Sequence, residues 1–234
     1  MVAFNTATAS ANKIHDDAVA RGLGFRGGLV PGVDVFAYLC HLPAARWGRE
    51  WLERGTISAR FASPVYDGDT VTATAEPDGD ALVLSLADSS GAVCASGRAA
   101  LAEDEPDAID VDAWPRGPVP ADPPAASPET LAAATFGSLE AGFSGGRAHE
   151  YLDDVREDLA LFRDPPLAHP GWLLRFANYV LSTNVRLGPW IHVASDVRLL
   201  GAVEDGGRVE TRALLRGLSE RKGHRIVEGD EGIQ

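Results

Sequence analysis

The sequence predicts an α+β fold in which an antiparallel sheet wraps around one central helix, and it predicts this arrangement twice in tandem. Two observations support the prediction. A largely apolar helical stretch precedes a run of short strands separated by turn signals, and the same pattern recurs about 138 residues later. A helix that is apolar on most sides must be buried, and a curved sheet can cover it. With 234 residues, the chain is long enough for two such cores.

The recurrence rests on two pairs of matching segments. Segment 24–42 (GFRGGLVPGVDVFAYLCHL) matches segment 161–181 (LFRDPPLAHPGWLLRFANYVL), since each has Phe-Arg and then Pro-Gly before a helical stretch. Segment 60–76 (RFASPVYDGDTVTATAE) matches segment 198–214 (RLLGAVEDGGRVETRAL) through a shared Val, Asp, Gly and Val. Because both matches have nearly the same offset, the sequence predicts an internal duplication.

The elements of the first copy follow from local patterns. The central helix begins after Pro31 and Gly32, and its apolar residues are Val33, Phe36, Ala37, Leu39 and Cys40. The strands and turns follow in this order: GTISARFASPV, a YDGD turn, TVTATAE, a PDGD turn, ALVLSLAD, an SSG turn and AVCASGRAAL. A single sheet of this kind has an exposed edge, and pairing of that edge with the second copy gives a reason for the duplication.

An acidic, proline-rich stretch separates the two copies. We therefore predict an N-terminal domain at 1–101, an extended linker at 102–129 and a C-terminal domain at 130–234. The second copy has no counterpart of the last strand of the first copy, AVCASGRAAL. Three explanations stay open: the fold lacks that strand, another chain supplies it, or the sequence is truncated.

Composition excludes several classes of function. A formal net charge of −13 argues against a nucleic-acid surface, which needs a basic face. Two cysteines, Cys40 and Cys94, form no disulfide framework, and the six histidines show no metal-ligand spacing, so no metal is expected. No signal peptide and no apolar run long enough to span a membrane are found, which makes the cytoplasm the expected location.

Three segments of the first copy resemble a known family. They are NKIHDD (12–17), GFRGGLVPG (24–32) and RFASPVYDGDTV (60–71), and they are similar to the MaoC-like branch of the hotdog fold, which includes the (R)-specific enoyl-CoA hydratases. The second copy resembles the C-terminal half of fused double-hotdog members. The resemblance implies two tandem hotdog folds, the second without its last strand, and a possible partnership as a homodimer or with another hotdog chain.

The resemblance also implies a set of site residues. The family's loop has the spacing D-x-N-P-x-H, in which Asn12 and His15 match, Lys13 replaces the proline and Ser10 replaces the aspartate. It implies that His15 transfers a proton to or from a reacting water, which Ser10 and Asn12 would orient. It also implies that the N–H of Gly32 polarises a thioester oxygen.

The residues themselves leave alternatives open at these positions. An imidazole titrates near neutral pH and suits proton transfer, but His15 could equally be a solvent-facing loop residue. Unpaired N–H groups at the start of a helix favour a developing negative charge, but Pro31 and Gly32 could simply suit the backbone geometry there. His192, between apolar neighbours, is expected to be a structural histidine on a strand with its polar atoms satisfied.

A basic stretch near the C-terminus is a further candidate. It is either a contact for the phosphates of coenzyme A or a solvated hairpin tip, and its candidate residues are Arg221, Lys222 and Arg225. The glycines Gly22, Gly24 and Gly27 spell G-x-G-x-x-G, but a helical pattern precedes them where a dinucleotide site needs a strand. We expect them to form a tight loop.

The function predicted from these features is a hydratase or dehydratase acting on a 2-enoyl-CoA/3-hydroxyacyl-CoA pair. The expected partner is an acyl-CoA or acyl-carrier thioester, with coenzyme A as part of the substrate and no separate cofactor. Two alternatives remain: a hotdog thioesterase, and a non-catalytic acyl-CoA-binding or structural subunit of a heteromeric hydratase. The last alternative is favoured by Ser10, which cannot act as a base unaided.

Overall fold

The computed structural model describes residues 1–103, 110–221 and 223–234. The α-helices of these residues are α1 (Asp17–Gly22), α2 (Gly32–Trp47), α3 (Arg49–Arg54), α4 (Pro128–Ala133), α5 (Gly145–Asp154) and α6 (Pro170–Asn184). The strands are β1 (Gly55–Phe61), β2 (Val71–Asp78), β3 (Ala81–Asp88), β4 (Val93–Leu101), β5 (Leu139–Gly142), β6 (Ala194–Arg198), β7 (Arg208–Arg221) and β8 (His224–Ile233). None of these helices is long and apolar enough to cross a membrane.

The first sheet packs against helix α2. Its strand order is β2-β3-β4-β1-β6, and each neighbouring pair is antiparallel. Along β3 the buried side chains are Ala81, Leu82, Leu84 and Leu86, so from Leu82 onward every second residue faces the core. Helix α2 contacts β1, β2, β3 and β4 and is buried over most of its length. The sheet around a central helix confirms the predicted α+β class.

The turns between these strands lie where the sequence predicts them. Gly68, Gly79 and Gly91 lie within the YDGD, PDGD and SSG signals, and each has a positive φ. Glycine adopts this backbone conformation without the steric cost of a Cβ, which lets the chain reverse tightly. Local turn chemistry therefore sets the ends of β2, β3 and β4.

A second sheet contains β5, β7 and β8 in the order β5-β7-β8, again antiparallel. It has its own apolar cluster, formed by Leu131, Phe136, Val180, Val185 and Ala213. Strand β6, the counterpart of β1 in the sequence repeat, pairs with β1 and extends the first sheet. The repeat thus corresponds to real elements, with β7 and β8 as counterparts of β2 and β3.

The described residues form two compact units, each assembled from segments distant in sequence. The first takes in the described residues of Met1–Pro106, Phe143–Trp172 and Pro189–Gly206. The second unit contains the described residues of Asp107–Gly142, Leu173–Gly188 and Gly207–Gln234. The predicted linker contains a short 3₁₀-helix at Val111–Ala113, and its residues 104–109 lie outside the described part. The predicted domain boundaries stay predictions.

The core of the first unit contains a buried carboxylate, Glu157, whose side chain is 2% exposed. Its Oε1 accepts hydrogen bonds from the Leu159 N–H at 2.8 Å and from His41 Nδ1 at 3.0 Å. Burial acts to raise the pKa of Glu157, but its interactions with His169 and His41 outweigh burial and hold the pKa well below its usual range. The same hydrogen bond raises the pKa of His41.

The pair of His41 and Glu157 should make stability depend on pH. Because the pKa of His41 is raised in the folded state, its contribution is full below the unfolded-state pKa of about 6.5 and is lost as pH rises through the folded-state value. We expect His41→Gln to cost more free energy of unfolding at pH 6 than at pH 8.5, as measured by urea denaturation. An equal cost at both pH values would contradict the charged pair.

Candidate active site

The loop that carries His15 is built by its own polar side chains. A 3₁₀-helix at Lys13–His15 begins after Asn12, whose side-chain oxygen accepts the Ile14 N–H at 3.4 Å. The Asn12 N–H in turn donates to Ser10 Oγ at 3.1 Å. Asp16 caps the following helix α1 by accepting two of its backbone N–H groups. Ser10 therefore serves the loop as a local hydrogen-bond acceptor.

The imidazole of His15 is held in one tautomer. Its Nδ1 lies 2.7 Å from the carbonyl oxygen of Leu29, and a carbonyl only accepts, so Nδ1 must carry the hydrogen. In the neutral ring, Nε2 then has the lone pair, with Asn12 Nδ2 at 3.4 Å. Burial lowers the pKa of His15, and the bond to Leu29 and the charge of Asp34 offset part of that shift. A neutral ring of this kind can accept a proton at Nε2.

Asn12 joins the loop to the chain segment before β6. Its Nδ2 donates to the Trp190 carbonyl at 2.9 Å, and its Oδ1 accepts the Trp190 N–H at 3.2 Å. The side-chain amide thus pairs with both backbone polar groups of a residue 178 positions away. Sequence reasoning missed Trp190, because nothing near either residue signals the contact.

The start of helix α2 is the predicted oxyanion position. Pro31 is buried and provides the first helical carbonyl, which accepts the N–H groups of Asp34 and Val35. Gly32 is partly exposed, and the first N–H groups of a helix have no partner within the helix. A Cβ on Gly32 would lie only 2.8 Å from the Cβ of His192. The close approach of His192 is therefore a second reason why this position needs glycine.

A buried acid, Asp34, lies in the first turn of α2 and is a residue that sequence reasoning missed. Its side chain is fully buried, and its Oδ2 accepts a hydrogen bond from Thr6 Oγ1 at 2.6 Å. Its charge acts on His15 and offsets part of the effect of burial on that pKa. An acid at the third position of a helix whose next six residues are apolar or aromatic was the available signal. A carboxylate thus influences the pKa of His15, although the loop itself has Ser10.

The backbone of the loop needs glycine at position 28. The His15 carbonyl accepts a hydrogen bond from Asn5 Nδ2 at 3.0 Å, and a Cβ on Gly28 would lie 2.2 Å from that carbonyl oxygen. The Gly28 N–H donates to Asp17 Oδ1 at 2.8 Å. The segment before Pro31 is thereby fixed against the loop that carries His15.

The basic candidates lie elsewhere in the fold. Arg221 ends β7 and Arg225 lies near the start of β8, so both are at an exposed hairpin tip in the second unit. Lys222 lies outside the described residues. Ser10, Asn12, His15, Pro31 and Gly32 belong to the first unit. Contact of the basic residues with coenzyme A phosphates stays a prediction.

One group in the described residues has the composition of a metal site. The ligand atoms of His41, Glu157 and Asp158 lie within 4.8 Å of one another. His41 and Glu157 are already joined by a direct hydrogen bond, which explains their approach without an ion. The group therefore gives no reason to assign a metal.

No protein-family model and no curated protein matches the sequence, but solved structures do. Rv0216, a conserved hypothetical protein from Mycobacterium tuberculosis with a double hotdog fold, is 15% identical over 99% of this chain and 86% of its own, with a TM-score of 0.61. A protein named as a MaoC domain dehydratase, from Chloroflexus aurantiacus J-10-fl, is 12% identical over 96% of this chain and 79% of its own, with a TM-score of 0.63.

A further solved structure, a MaoC-like dehydratase, is 14% identical over 97% of this chain and 91% of its own, with a TM-score of 0.50. At these identities the likeness establishes the fold alone. The chain has the double hotdog fold, which confirms the predicted fold class. The names of two of these neighbours agree with the resemblance found in the sequence.

Gly28→Ala should disturb the His15 loop. The new Cβ would overlap the His15 carbonyl oxygen, so the backbone must move, at a cost of about 1–3 kcal/mol of unfolding free energy. The matched control is Gly22→Ala at the end of α1, where a Cβ meets no heavy atom within 4 Å. Urea denaturation of both variants measures the difference, and equal stabilities would contradict the packing described.

Asp34→Asn should lower the pKa of His15 further. The substitution removes a negative charge that stabilises the imidazolium, so the ring stays neutral to a lower pH. An NMR titration of the His15 ring protons measures this directly. Glu53→Gln, at an exposed position on α3, serves as the control. A His15 pKa that rises or stays unchanged in Asp34→Asn would show that Asp34 does not act on the ring.

Proposed function

We propose that the protein is an acyl-thioester hydratase or dehydratase that acts on a 2-enoyl-CoA/3-hydroxyacyl-CoA pair. The observation that carries the proposal is the state of His15: Nδ1 is bound to the Leu29 carbonyl, and Nε2 holds the lone pair of the neutral ring. The residue that accepts this bond lies three positions before Gly32, where α2 begins. Hydration of an enoyl thioester needs a proton acceptor for the water and hydrogen-bond donors for the negative oxygen that forms, and a neutral imidazole and a helix N-terminus can supply these two groups.

The proposed reaction proceeds through an enolate. His15 Nε2 takes one proton from water while the water oxygen bonds to C3, and the electrons of the double bond move to the thioester oxygen. N–H groups at the start of α2, that of Gly32 first, stabilise the negative oxygen. The imidazolium of His15 then gives its proton to C2, so one water has been added and His15 is neutral again. The reverse sequence is dehydration.

We assign Asn12 and Ser10 to positioning in this scheme. The Asn12 amide is already paired with Trp190 and has Nδ2 3.4 Å from His15 Nε2, so it orients the ring and its loop. Ser10 holds the Asn12 N–H and supports the same loop. Pro31 places Gly32 at the first turn of α2. Neither Ser10 nor Asn12 is a carboxylate, and Asp16, the acid next to His15, accepts two backbone N–H groups of α1.

The proposal also covers how coenzyme A is bound, where the protein is located and which chains it associates with. Coenzyme A enters as part of the substrate, with Arg221 and Arg225 as proposed phosphate contacts. A cytoplasmic location and association, either as a homodimer or with another hotdog chain, belong to the same proposal. A non-catalytic, acyl-CoA-binding subunit is the second candidate, and the observation that favours it is Ser10 at the position of the family's aspartate.

Purified protein should remove the enoyl absorbance band of crotonyl-CoA without releasing a free thiol. His15→Ala should lower the rate by about 10²–10⁴-fold, the usual contribution of a positioned acid–base group. The control is His149→Ala, because His149 is exposed on α5 and contacts only the Arg163 carbonyl among the hydrogen bonds described.

Two other outcomes would decide against hydration. Thiol release would indicate a thioesterase, in which water attacks the thioester carbonyl. Tight binding of butyryl-CoA in calorimetry, with neither loss of the enoyl band nor thiol release, would indicate the non-catalytic subunit. Activity that survives His15→Ala would show that the site lies elsewhere.

A further inference from the structure

The surroundings of His192 differ in part from those that its sequence context predicts. It lies just before β6 rather than on a strand, in the segment that Asn12 joins to the His15 loop through Trp190. Its ring meets the ring of Phe61 edge-on, with 5.4 Å between centroids and an interplanar angle of 83°. Its Cβ and Cγ lie against Gly32, where no larger residue would fit. The ring is thus held at the start of α2.

The tautomer of His192 follows from its partners. Nε2 lies 3.0 Å from the Ala194 carbonyl and 2.7 Å from Ser195 Oγ. Because the carbonyl only accepts, Nε2 carries the hydrogen, and in the neutral ring Nδ1 holds the lone pair. That Nδ1 is buried, and the described residues offer it no hydrogen-bond partner, so the expectation of a satisfied histidine is wrong. Burial lowers the pKa of His192, which favours the neutral ring.

Two neutral imidazoles therefore accompany the same helix start. His15 is bonded to Leu29, three positions before Gly32, and His192 packs directly on Gly32. Asn12 links them, since it contacts His15 Nε2 at 3.4 Å and both backbone groups of Trp190. The lone pair of His15 Nε2 accepts only the long hydrogen bond from Asn12 Nδ2, that of His192 Nδ1 accepts none from the described residues, and a water molecule has two hydrogens. An acceptor buried without a partner is costly unless a ligand supplies the missing donor.

We propose that His192 is a further catalytic residue, whose Nδ1 accepts a hydrogen bond from the water that His15 deprotonates. This inference rests on the proposed hydratase function. One hydrogen of the water goes to His15 Nε2, and the other stays on the oxygen and points to His192 Nδ1. The oxygen then bonds to C3 as a hydroxyl, and the proton on His15 goes to C2. His192 is neutral throughout and fixes the direction of attack.

Two amide substitutions separate this role from a structural one. His192→Asn places an amide oxygen near the position of Nδ1, and His192→Gln reaches the position of Nε2 and can keep the bonds to Ala194 and Ser195. If His192 holds the water, the Gln variant loses at least about 10-fold in kcat on crotonyl-CoA with little change in KM, and the Asn variant keeps most of kcat.

A purely structural role predicts the reverse order, since the bonds to Ala194 and Ser195 would matter most. Thermal unfolding and butyryl-CoA affinity, measured for both variants, show that each is folded and binds. Activity in the Gln variant equal to wild type, or higher than in the Asn variant, would overturn the role of His192 while leaving the hydratase proposal intact. A wild-type protein that does not hydrate crotonyl-CoA would overturn both.

Discussion

The burial of helix α2 is the constraint on which the first unit depends. A helix covered on nearly every side needs a sheet curved around it, and β1 to β4 provide that sheet with alternating apolar residues. Burial also means that the N–H groups at the helix start, which have no partner within the helix, need hydrogen-bond acceptors from outside it. Loop 10–15, the segment before Gly32 and the segment before β6 are fixed to one another by hydrogen bonds and close packing at this helix start.

The two histidines near this helix start use their ring nitrogens in the same way. Each histidine gives its one ring hydrogen to a backbone carbonyl, His15 to Leu29 and His192 to Ala194. The other ring nitrogen is then an acceptor, and burial lowers the pKa of both rings, which favours their neutral form. The same packing that makes the unit stable thus leaves His15 Nε2 with only a long hydrogen bond from Asn12 and His192 Nδ1 with no partner among the described residues.

Local sequence patterns predicted the strands, the turns and the His15 loop. They did not predict the contacts between residues distant in sequence. The alternation of Leu82, Leu84 and Leu86 and the turn glycines identify strands because the signals lie within a few residues. The motif identified Asn12 and His15, which lie on one short loop. Trp190 and His192 could not be placed beside them, since their approach depends on the pairing of β1 with β6. The repeat predicted that an edge of the first sheet pairs with the second copy, but no pattern within either segment identifies β1 and β6 as the strands that pair.

Electrostatics suggests why a neutral acceptor suits this site in place of a loop carboxylate. Asp34 already places a negative charge in the first turn of α2, and a second carboxylate at position 10 would add another of the same sign. Two like charges near a helix start compete with a developing enolate for the same N–H groups and dipole. A neutral His192 can hold the water without adding to that negative charge. The loop has Ser10 where the family has a carboxylate, and the unpartnered Nδ1 of His192 takes over as the second hydrogen-bond acceptor for the water. This acceptor comes from the segment before β6.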